Sequence, residues 1–391
     1  MRIAIVTESF LPTLNGVTTS VCRVLECLRD AGHEAVVIAP HPAPPSFAGF
    51  PVHTVASVPV RQFPVGLPTG EVEEVLAAFG PDVVHVASPF VVGARGLAAA
   101  TRLGVPTVAV YQTDMASYLR QHGRGPAGRA ASRAAWRWIR RIHGQAGLTL
   151  APSSAALQDL RDHGVPRTAL WGRGVDAGLF HPGWREDARC RALRRTLAPG
   201  GELLLGYVGR LAPEKELERL ATLATAPGTR LVLVGDGPSR QALGALLAEA
   251  VAAGPGRPTL PPVFLGRREG EELARAYAAF DVFVHTGTRE TFGQTLQEAA
   301  ASGLPVVAPA RGGPLDLVAH GRTGLLFDPD DPGALERQVR TLTDPVHGAA
   351  RRAALGRAAY RQVTSRSWPA LVAQLLDHYA AVAAGEGARA A

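Results

Sequence analysis

The chain has 391 residues, 46% hydrophobic and 19% charged, with 41 Lys and Arg against 34 Asp and Glu, a formal charge of +7. That length exceeds what one hydrophobic core usually serves, so two domains are expected, and the apolar fraction excludes a largely disordered chain. No run of about 18 apolar residues exists, which excludes a spanning helix, and the short apolar start MRIAIVTESF reads as a first strand of a cytoplasmic protein rather than a secretory signal.

In chain order, the first half alternates short continuous apolar runs with helix-compatible segments. The runs are Arg2–Val6, Ala35–Ala39, Asp82–Ala87, Thr107–Val110 and Leu148–Ala151. Between them lie Val17–Ala31, Glu71–Phe79, Ala94–Leu103 and Ser153–His163, which carry apolar residues at helical spacing. Strands that are apolar throughout and separated by helices predict a parallel sheet covered on both faces. Right-handed crossovers then give a doubly wound α/β domain.

Within this half, Met115–Gln158 contains no acid but carries Arg120, Arg124, Arg129, Arg133, Arg137, Arg140 and Arg141. Arg129, Arg133, Arg137 and Arg141 are spaced by four and share a helical face, with Trp136, Trp138, Ile139 and Ile142 as apolar contacts. Three readings stay open: an anionic membrane surface, an anionic acceptor, or a solvated face. No nucleic-acid-binding motif accompanies the charge.

The glycine-rich stretch Trp171–Pro182 reads as a linker, after which the rhythm restarts. Strands are expected at Leu203–Val208, Arg230–Val234, Val263–Leu265, Val282–His285 and Pro305–Ala308. Helices are expected near Glu214–Thr225, Ser239–Ala253, Glu269–Ala279, Gln294–Ser302, Pro332–Thr341 and finally Trp368–Ala384. The division is placed at residues 1–177, 178–365 and 366–391, the last a helix packing back on the first domain. Doubly wound sheets bind ligands beyond the carboxyl ends of their strands, so a site in a cleft between the halves is expected.

Two segments carry chemistry. In Gly209-Arg210-Leu-Ala-Pro213-Glu-Lys215 a strand ends and two cations follow on a turn near an expected helix start. Cations there oppose the helix dipole unless an anion lies between them, and a diphosphate meets that need. Lys215 is the only lysine in the chain. It lies in Pro-Glu-Lys-Glu, which excludes a phosphate-binding Gly-Lys-Ser/Thr loop. In Glu290-Thr291-Phe292-Gly293-Gln294 through Glu298 and Gly303, a strand runs into a loop and a helix. The amides of Phe292, Gly293 and Gln294 suit phosphate or sugar oxygens, Glu298 a vicinal diol such as ribose, and Glu290 a hexose hydroxyl. An ordinary helix with a solvated Glu is the competing reading.

Taken together, Gly-Arg-Leu-x-Pro-Glu-Lys and Glu-x7-Glu resemble the retaining family 4 glycosyltransferases of GT-B fold. Glu8-Ser-Phe-Leu-Pro-Thr-Leu-Asn15-Gly16-Val, Gly32-His33-Glu34, Val175-Asp176 with Phe180, Gly235-Asp-Gly237-Pro238 and Phe264-Leu-Gly266 are similar to that family too. Ser88-Pro-Phe90 and Tyr111-Gln112-Thr-Asp114 resemble its GDP-mannose-dependent branch acting on lipid glycoconjugates. The resemblance implies two Rossmann-like domains and a nucleotide-diphospho-sugar donor, with a lipid or small glycoside as acceptor. It implies that Arg210 and Lys215 hold the diphosphate, Glu298 the ribose and Glu290 the sugar. Gly16 would let backbone approach the diphosphate, the end of the Phe264 strand with Gly266 and Arg267 would line the base pocket, and Asp114 would orient sugar or acceptor.

One departure from the family's pattern stands out: many of its members have His where this chain has Gln112, which does not shuttle protons. No cofactor and no metal are expected, and the acids of Asp328-Pro-Asp330-Asp331 are read as caps. A UDP-sugar donor with a natural-product acceptor, or a non-catalytic carbohydrate-binding subunit, are the alternatives. Gly235-Asp-Gly237-Pro-Ser-Arg240 lacks the last glycine of a dinucleotide fingerprint. His33, His85 and His285 lack ligand spacing and are read as structural. Cys22, Cys27 and Cys190 form no Cys-x-x-Cys motif and are read as reduced.

Overall fold

The computed structural model describes residues 1–13, 15–60, 63–67, 70–112, 125–254 and 260–385. The chain forms two compact units: Met1–Gly174 together with Trp368–Ala391, and Val175–Ser367. The expected divisions at 177 and 365 move to these positions because backbone bonding changes partner there. Val175 donates to the Arg366 carbonyl at 2.9 Å and bridges Ser367 in the second unit, whereas Gly174 lies against Trp368 in the first.

The first unit contains β1 (Arg2–Val6), β2 (Glu34–Pro40), β3 (Ser46–Phe47), β4 (Phe50–Val55), a β5–β6 hairpin (Ser57–Val60, Phe63–Gly66), β7 (Val83–Val86), β8 (Thr107–Val110), β9 (Leu148–Ala151) and β10 (Thr168–Leu170). Among the described residues its main sheet has the order β10-β9-β8-β7-β1-β2-β4-β3, and every pairing except β3 with β4 is parallel. The strand β1 buries Ile3, Ala4, Ile5 and Val6 completely, which is why it reads as a continuous apolar run. β3, β4 and the hairpin escaped the sequence pattern. Short strands broken by Pro51, Pro59 and Pro64 carry no continuous apolar signal.

The final helix, Trp368–Ala383, contributes Leu371, Val372, Leu375 and Tyr379 to the same core as β1, β2 and β8. Trp171 Nε1 donates to the Leu371 carbonyl at 2.8 Å, and the Tyr379 hydroxyl meets Nδ1 of buried His85 at 2.6 Å. Burial pulls the His85 pKa down to about 4, so this imidazole is neutral and structural.

The second unit contains β11 (Leu203–Val208), β12 (Thr229–Val234), β13 (Val263–Gly266), β14 (Val282–Val284), β15 (Val306–Pro309) and β16 (Gly324–Phe327). These make a parallel sheet of order β13-β12-β11-β14-β15-β16. The order reverses direction between β11 and β14, the kind of switch point at which such sheets bind ligands. One expected helix is not α-helical: Glu214–Thr225 is instead two 3-10 segments, Pro213–Lys215 and Leu217–Leu223, separated by Glu216 at φ 49°. The left-handed residue breaks the helical ladder immediately after Lys215. The helices Ala188–Leu197 and Gly348–Val363 were not anticipated, both being rich in Arg and Ala and poor in large apolar residues.

Leu375 has no exposed surface and lies in the first unit's core. Leu375→Ala is expected to cost about 2–5 kcal/mol through lost burial and a residual cavity. Denaturant unfolding followed by tryptophan fluorescence checks this: Trp136, Trp138, Trp171 and Trp368 report the first unit and Trp184 the second.

Candidate active site

The turn after β11 is held by backbone. Gly209 donates to Val234 O at 3.0 Å, Leu211 to Asp236 O at 2.9 Å and Ser239 to Leu211 O at 2.9 Å. The approach is too close for side chains. A Cβ on Gly235 would lie 1.9 Å from Gly209 O, and one on Gly237 2.3 Å from Leu211 O. With φ of 132° and 157°, both positions also favour glycine. The Gly235-Asp-Gly237 motif is therefore the anvil on which the Arg210 turn is shaped.

From this turn Arg210, about half exposed, reaches Glu214 at 3.7 Å. Lys215 meets the Glu290 carboxylate at 2.6 Å, with side-chain exposures of 24% and 18%. Burial opposes the Lys215 charge, but Glu290, with Glu214 behind it, outweighs that and raises the pKa above the ordinary lysine value. This corrects the sequence argument for the two cations. Their counter-charge is supplied by the protein's own carboxylates, so a ligand anion has to displace these contacts rather than fill an electrostatic void.

The Glu290 loop is tied to the same turn. Thr286 Oγ1 donates to Lys215 O at 2.7 Å, and Thr288 Oγ1 donates to Glu216. Gly313 N donates to Glu290 O at 2.8 Å, and a Cβ at Gly313 would lie 2.2 Å from Phe292 O. His285, 2% exposed, stands 3.8 Å from the Glu290 carboxylate, and burial lowers its pKa to about 4. The imidazole is thus a neutral wall beside the ion pair, at the carboxyl end of β14.

Gly293 caps the helix Gln294–Ala301 at φ 105° without a side-chain cap. Thr291 and Gln294 are half-buried, whereas the Phe292 side chain is 2% exposed and is part of the packing. Any ligand contact from Phe292 comes from its backbone. Glu298, one turn into the helix, accepts a hydrogen bond from Tyr277 Oη at 2.8 Å. Burial pushes its pKa up to about 7, and the tyrosine bond acts the other way. Gly266 ends β13 and accepts from Gly235 N at 2.9 Å, while exposed Arg267 pairs with Glu269 at 2.7 Å.

In the first unit, the N-terminal motif is largely scaffold. The Asn15 side chain caps the helix Gly16–Asp30 through Val17 N and Thr18 N, and Asn15 Nδ2 donates to Ser9 Oγ at 2.6 Å. The Glu8 carboxylate accepts from Val92 N and Gly93 N at the start of the helix Val91–Arg102, and burial raises its pKa to about 7. Gln112 is buried: its Nε2 donates to Ala87 O at 2.8 Å, and its Oε1 accepts from Arg173 at 2.6 Å. The same guanidinium lies where a Cβ on Gly16 would stand, 2.8 Å away. Asp114, Arg120 and Arg124 lie outside the described residues.

A family model described as Glycosyltransferase Family 4 matches residues 14–179, and one described as Glycosyl transferases group 1 matches residues 191–362. The GDP-mannose-dependent alpha-mannosyltransferase of Mycolicibacterium smegmatis is 48% identical, with all of both chains covered. The chain belongs to glycosyltransferase family 4. Its counterpart of the same description from Corynebacterium glutamicum is 42% identical over 98% of this chain and 90% of its own. In fold this glycosyltransferase is similar to Anabaena Alr3699/HepE in complex with UDP and glucose, at TM-score 0.76 and 21% identity, covering 97% of this chain and 99% of that one. Sucrose-phosphate synthase from Thermosynechococcus elongatus is similar too, at TM-score 0.77 and 23% identity over 98% and 99%. The fold is GT-B and the protein is a hexosyltransferase.

Among the described residues of this glycosyltransferase, no group of three or more His, Cys, Asp or Glu is placed to hold a metal ion. Asp328 and Asp331 accept backbone amides of Asp330 and Gly333, and Asp330 pairs with Arg311 at 2.7 Å. Sequence reasoning passed over Glu216, Tyr277 and Gly313. Glu216 differs from a surface acid only through its left-handed backbone, Tyr277 sits in an alanine-rich stretch that reads as core, and only the Gly312-Gly313 pair left a visible signal.

The Glu298 carboxylate carries a stability consequence. Its pKa is about 4.5 in the unfolded chain and about 7 in the fold, so the native state retains a proton that the unfolded state releases between these values. Stability therefore falls as pH rises from about 4.5 to 7, by on the order of 3 kcal/mol. Glu298→Gln is expected to raise the melting temperature at pH 8, with the gain shrinking toward pH 5; thermal denaturation across that range checks it.

Proposed function

We propose that this glycosyltransferase moves mannose from GDP-mannose, with retention, to a lipid or small glycoside acceptor. The observation that carries the reading is the 2.6 Å Lys215–Glu290 contact, on a turn shared with Arg210 at the sheet's switch point. The choice of donor is supported by the relatives described as GDP-mannose-dependent alpha-mannosyltransferases.

In this reading the donor diphosphate takes Lys215 and Arg210 as partners, a two-pronged guanidinium and a point-charge ammonium. Glu290, released from Lys215, accepts the sugar hydroxyls, and Glu298 accepts those of the ribose. The amides of Phe292, Gly293 and Gln294 and the Thr291 side of the loop face phosphate or sugar oxygens. Gly266 and Arg267 line the base pocket, Gly16 offers backbone to the donor, and Asp114 orients sugar or acceptor. The bond from the anomeric carbon to the leaving phosphate oxygen breaks while the acceptor oxygen attacks from the same face. The acceptor proton passes to that phosphate oxygen, so no separate carboxylate nucleophile is needed. Stabilising the departing diphosphate is the largest contribution asked of the protein. Gln112 moves no proton; its place between Ala87 O and Arg173 gives it a holding role.

The reading extends to the membrane. No helix among the described residues is long and apolar enough to cross a bilayer. The helix Gly125–His143 exposes Arg129, Arg133, Arg137, Arg140 and Arg141, and Trp138 is 44% exposed beside them. Its other face buries Ala135, Trp136, Ile139 and Ile142. Interfacial arginines flanking an exposed tryptophan suit the anionic inner face of a membrane, where the lipid acceptor is met.

Lys215→Ala is expected to weaken GDP binding about 10- to 100-fold, the worth of one charge-assisted contact; calorimetry reads this directly. Glu290→Gln should lower turnover by about tenfold or more without weakening GDP binding, because the lost carboxylate competes with the diphosphate for Lys215. Replacing Arg129, Arg133 and Arg137 together by Gln should reduce binding to phosphatidylglycerol vesicles by roughly 100-fold at low salt, at about 1 kcal/mol per arginine. Vesicle sedimentation checks this, and unchanged binding would leave the arginines as a solvated face.

A further inference from the structure

Tyr277 stands in the helix Gly270–Ala279 with no exposed surface. Its ring is enclosed by aromatic neighbours, with Phe180 at 5.5 Å, Phe283 at 5.7 Å and Phe280 at 6.2 Å between centroids. Phenylalanine would fit such surroundings without having to bury a hydroxyl. The hydroxyl is nonetheless present, and it reaches Glu298 Oε2 at 2.8 Å, with Thr295 O more distant at 3.4 Å. A buried phenol is satisfied here by a carboxylate on a different helix. Among the described residues no protein group donates to the other oxygen, Oε1.

We propose that Tyr277 is the positioning residue for nucleotide ribose recognition: its hydroxyl anchors one oxygen of Glu298 so that the carboxylate presents its remaining acceptor sites to a 2′,3′-diol. This rests on the reading of Glu298 as the ribose-binding acid.

The geometry gives two reasons. A glutamate side chain has three rotatable bonds, and a single anchored oxygen removes most of that freedom before the ligand arrives. An ionised carboxylate accepts at about four lone-pair sites, so one bond from Tyr277 leaves enough for both hydroxyls of a diol. The electrostatics support the same role. Burial favours the protonated acid, whereas the phenol bond favours the carboxylate, the form that accepts from two hydroxyls. Tyr277 touches no substrate in this arrangement and acts only through Glu298.

The test compares GDP with 2′,3′-dideoxy-GDP by calorimetry on the full chain. The wild type is expected to bind GDP at least about tenfold more tightly. In Tyr277→Phe the ratio should fall to about threefold or less, with the dideoxy affinity unchanged, since only diol recognition is lost. Glu298→Gln should lose the ratio as well, and the double variant should lose no more than Glu298→Gln alone. Site-specific 3-fluorotyrosine at position 277, a stronger donor of nearly the same shape, should widen the ratio and covers the case in which Tyr277→Phe fails to fold.

A wild-type ratio retained in Tyr277→Phe, or equal losses for both nucleotides, overturns the positioning role while leaving the ribose reading intact. A wild type that binds both nucleotides equally overturns the ribose reading of Glu298 itself, and the positioning role with it. If the wild type binds UDP in place of GDP, the same comparison with UDP and its dideoxy form applies.

Discussion

The second unit is organised around desolvated charge at one edge of a parallel sheet. Lys215 and Glu290 meet at 2.6 Å with about four-fifths of each side chain covered, and Glu298 lies half-buried in the next helix. Partly buried charges are tolerated only when paired or hydrogen-bonded, and each here has a protein partner. The pair couples the turn after β11 to the loop after β14, so the state of one loop is felt by the other. A ligand anion entering this edge competes with Glu290 for the lysine. In the proposed reading, donor binding and the release of Glu290 form a single exchange.

That exchange works only if the turn holds its shape when its ion pairs change. The backbone supplies the rigidity. Leu211, Asp236 and Ser239 bond main chain to main chain, at a separation that only Gly235 and Gly237 allow. The Glu290 loop is fixed by the Gly313 amide and by the side-chain hydroxyls of Thr286 and Thr288. The side chains with chemistry to perform are mounted on segments whose own hydrogen bonds are satisfied without them. Glu298 carries a cost in stability, because burial raises its pKa to about 7 and the folded chain must desolvate the charged form.

The first unit shows the opposite balance. Glu8, Asn15 and Ser88, which belong to motifs similar to the family's, cap helices or join loops, and His85 fills the core as its sequence context suggested. Gln112 belongs with them, holding Arg173 from a fixed amide. The basic helix differs: its arginines lie on the exposed side, and among the described residues none enters an ion pair within the protein. Charge left unpaired on a surface is available to a partner, whereas the Lys215 and Glu290 charges are committed to each other.

The primary structure alone was enough for the two-sheet architecture, because parallel strands buried beyond their first residue, such as Arg2–Val6 and Leu203–Val208, read as continuous apolar runs. It also singled out Arg210, Lys215, Glu290 and Glu298 as candidates, through their spacing around strand ends. It did not reveal that Lys215 and Glu290 are partners, since 75 residues separate them and only the adjacency of β11 and β14 brings them together. Nor did it reveal Tyr277, whose hydroxyl matters solely because a helix from elsewhere in the chain places Glu298 beside it. Periodicity reports what each segment buries; pairings between distant segments are decided when the sheet chooses its strand order.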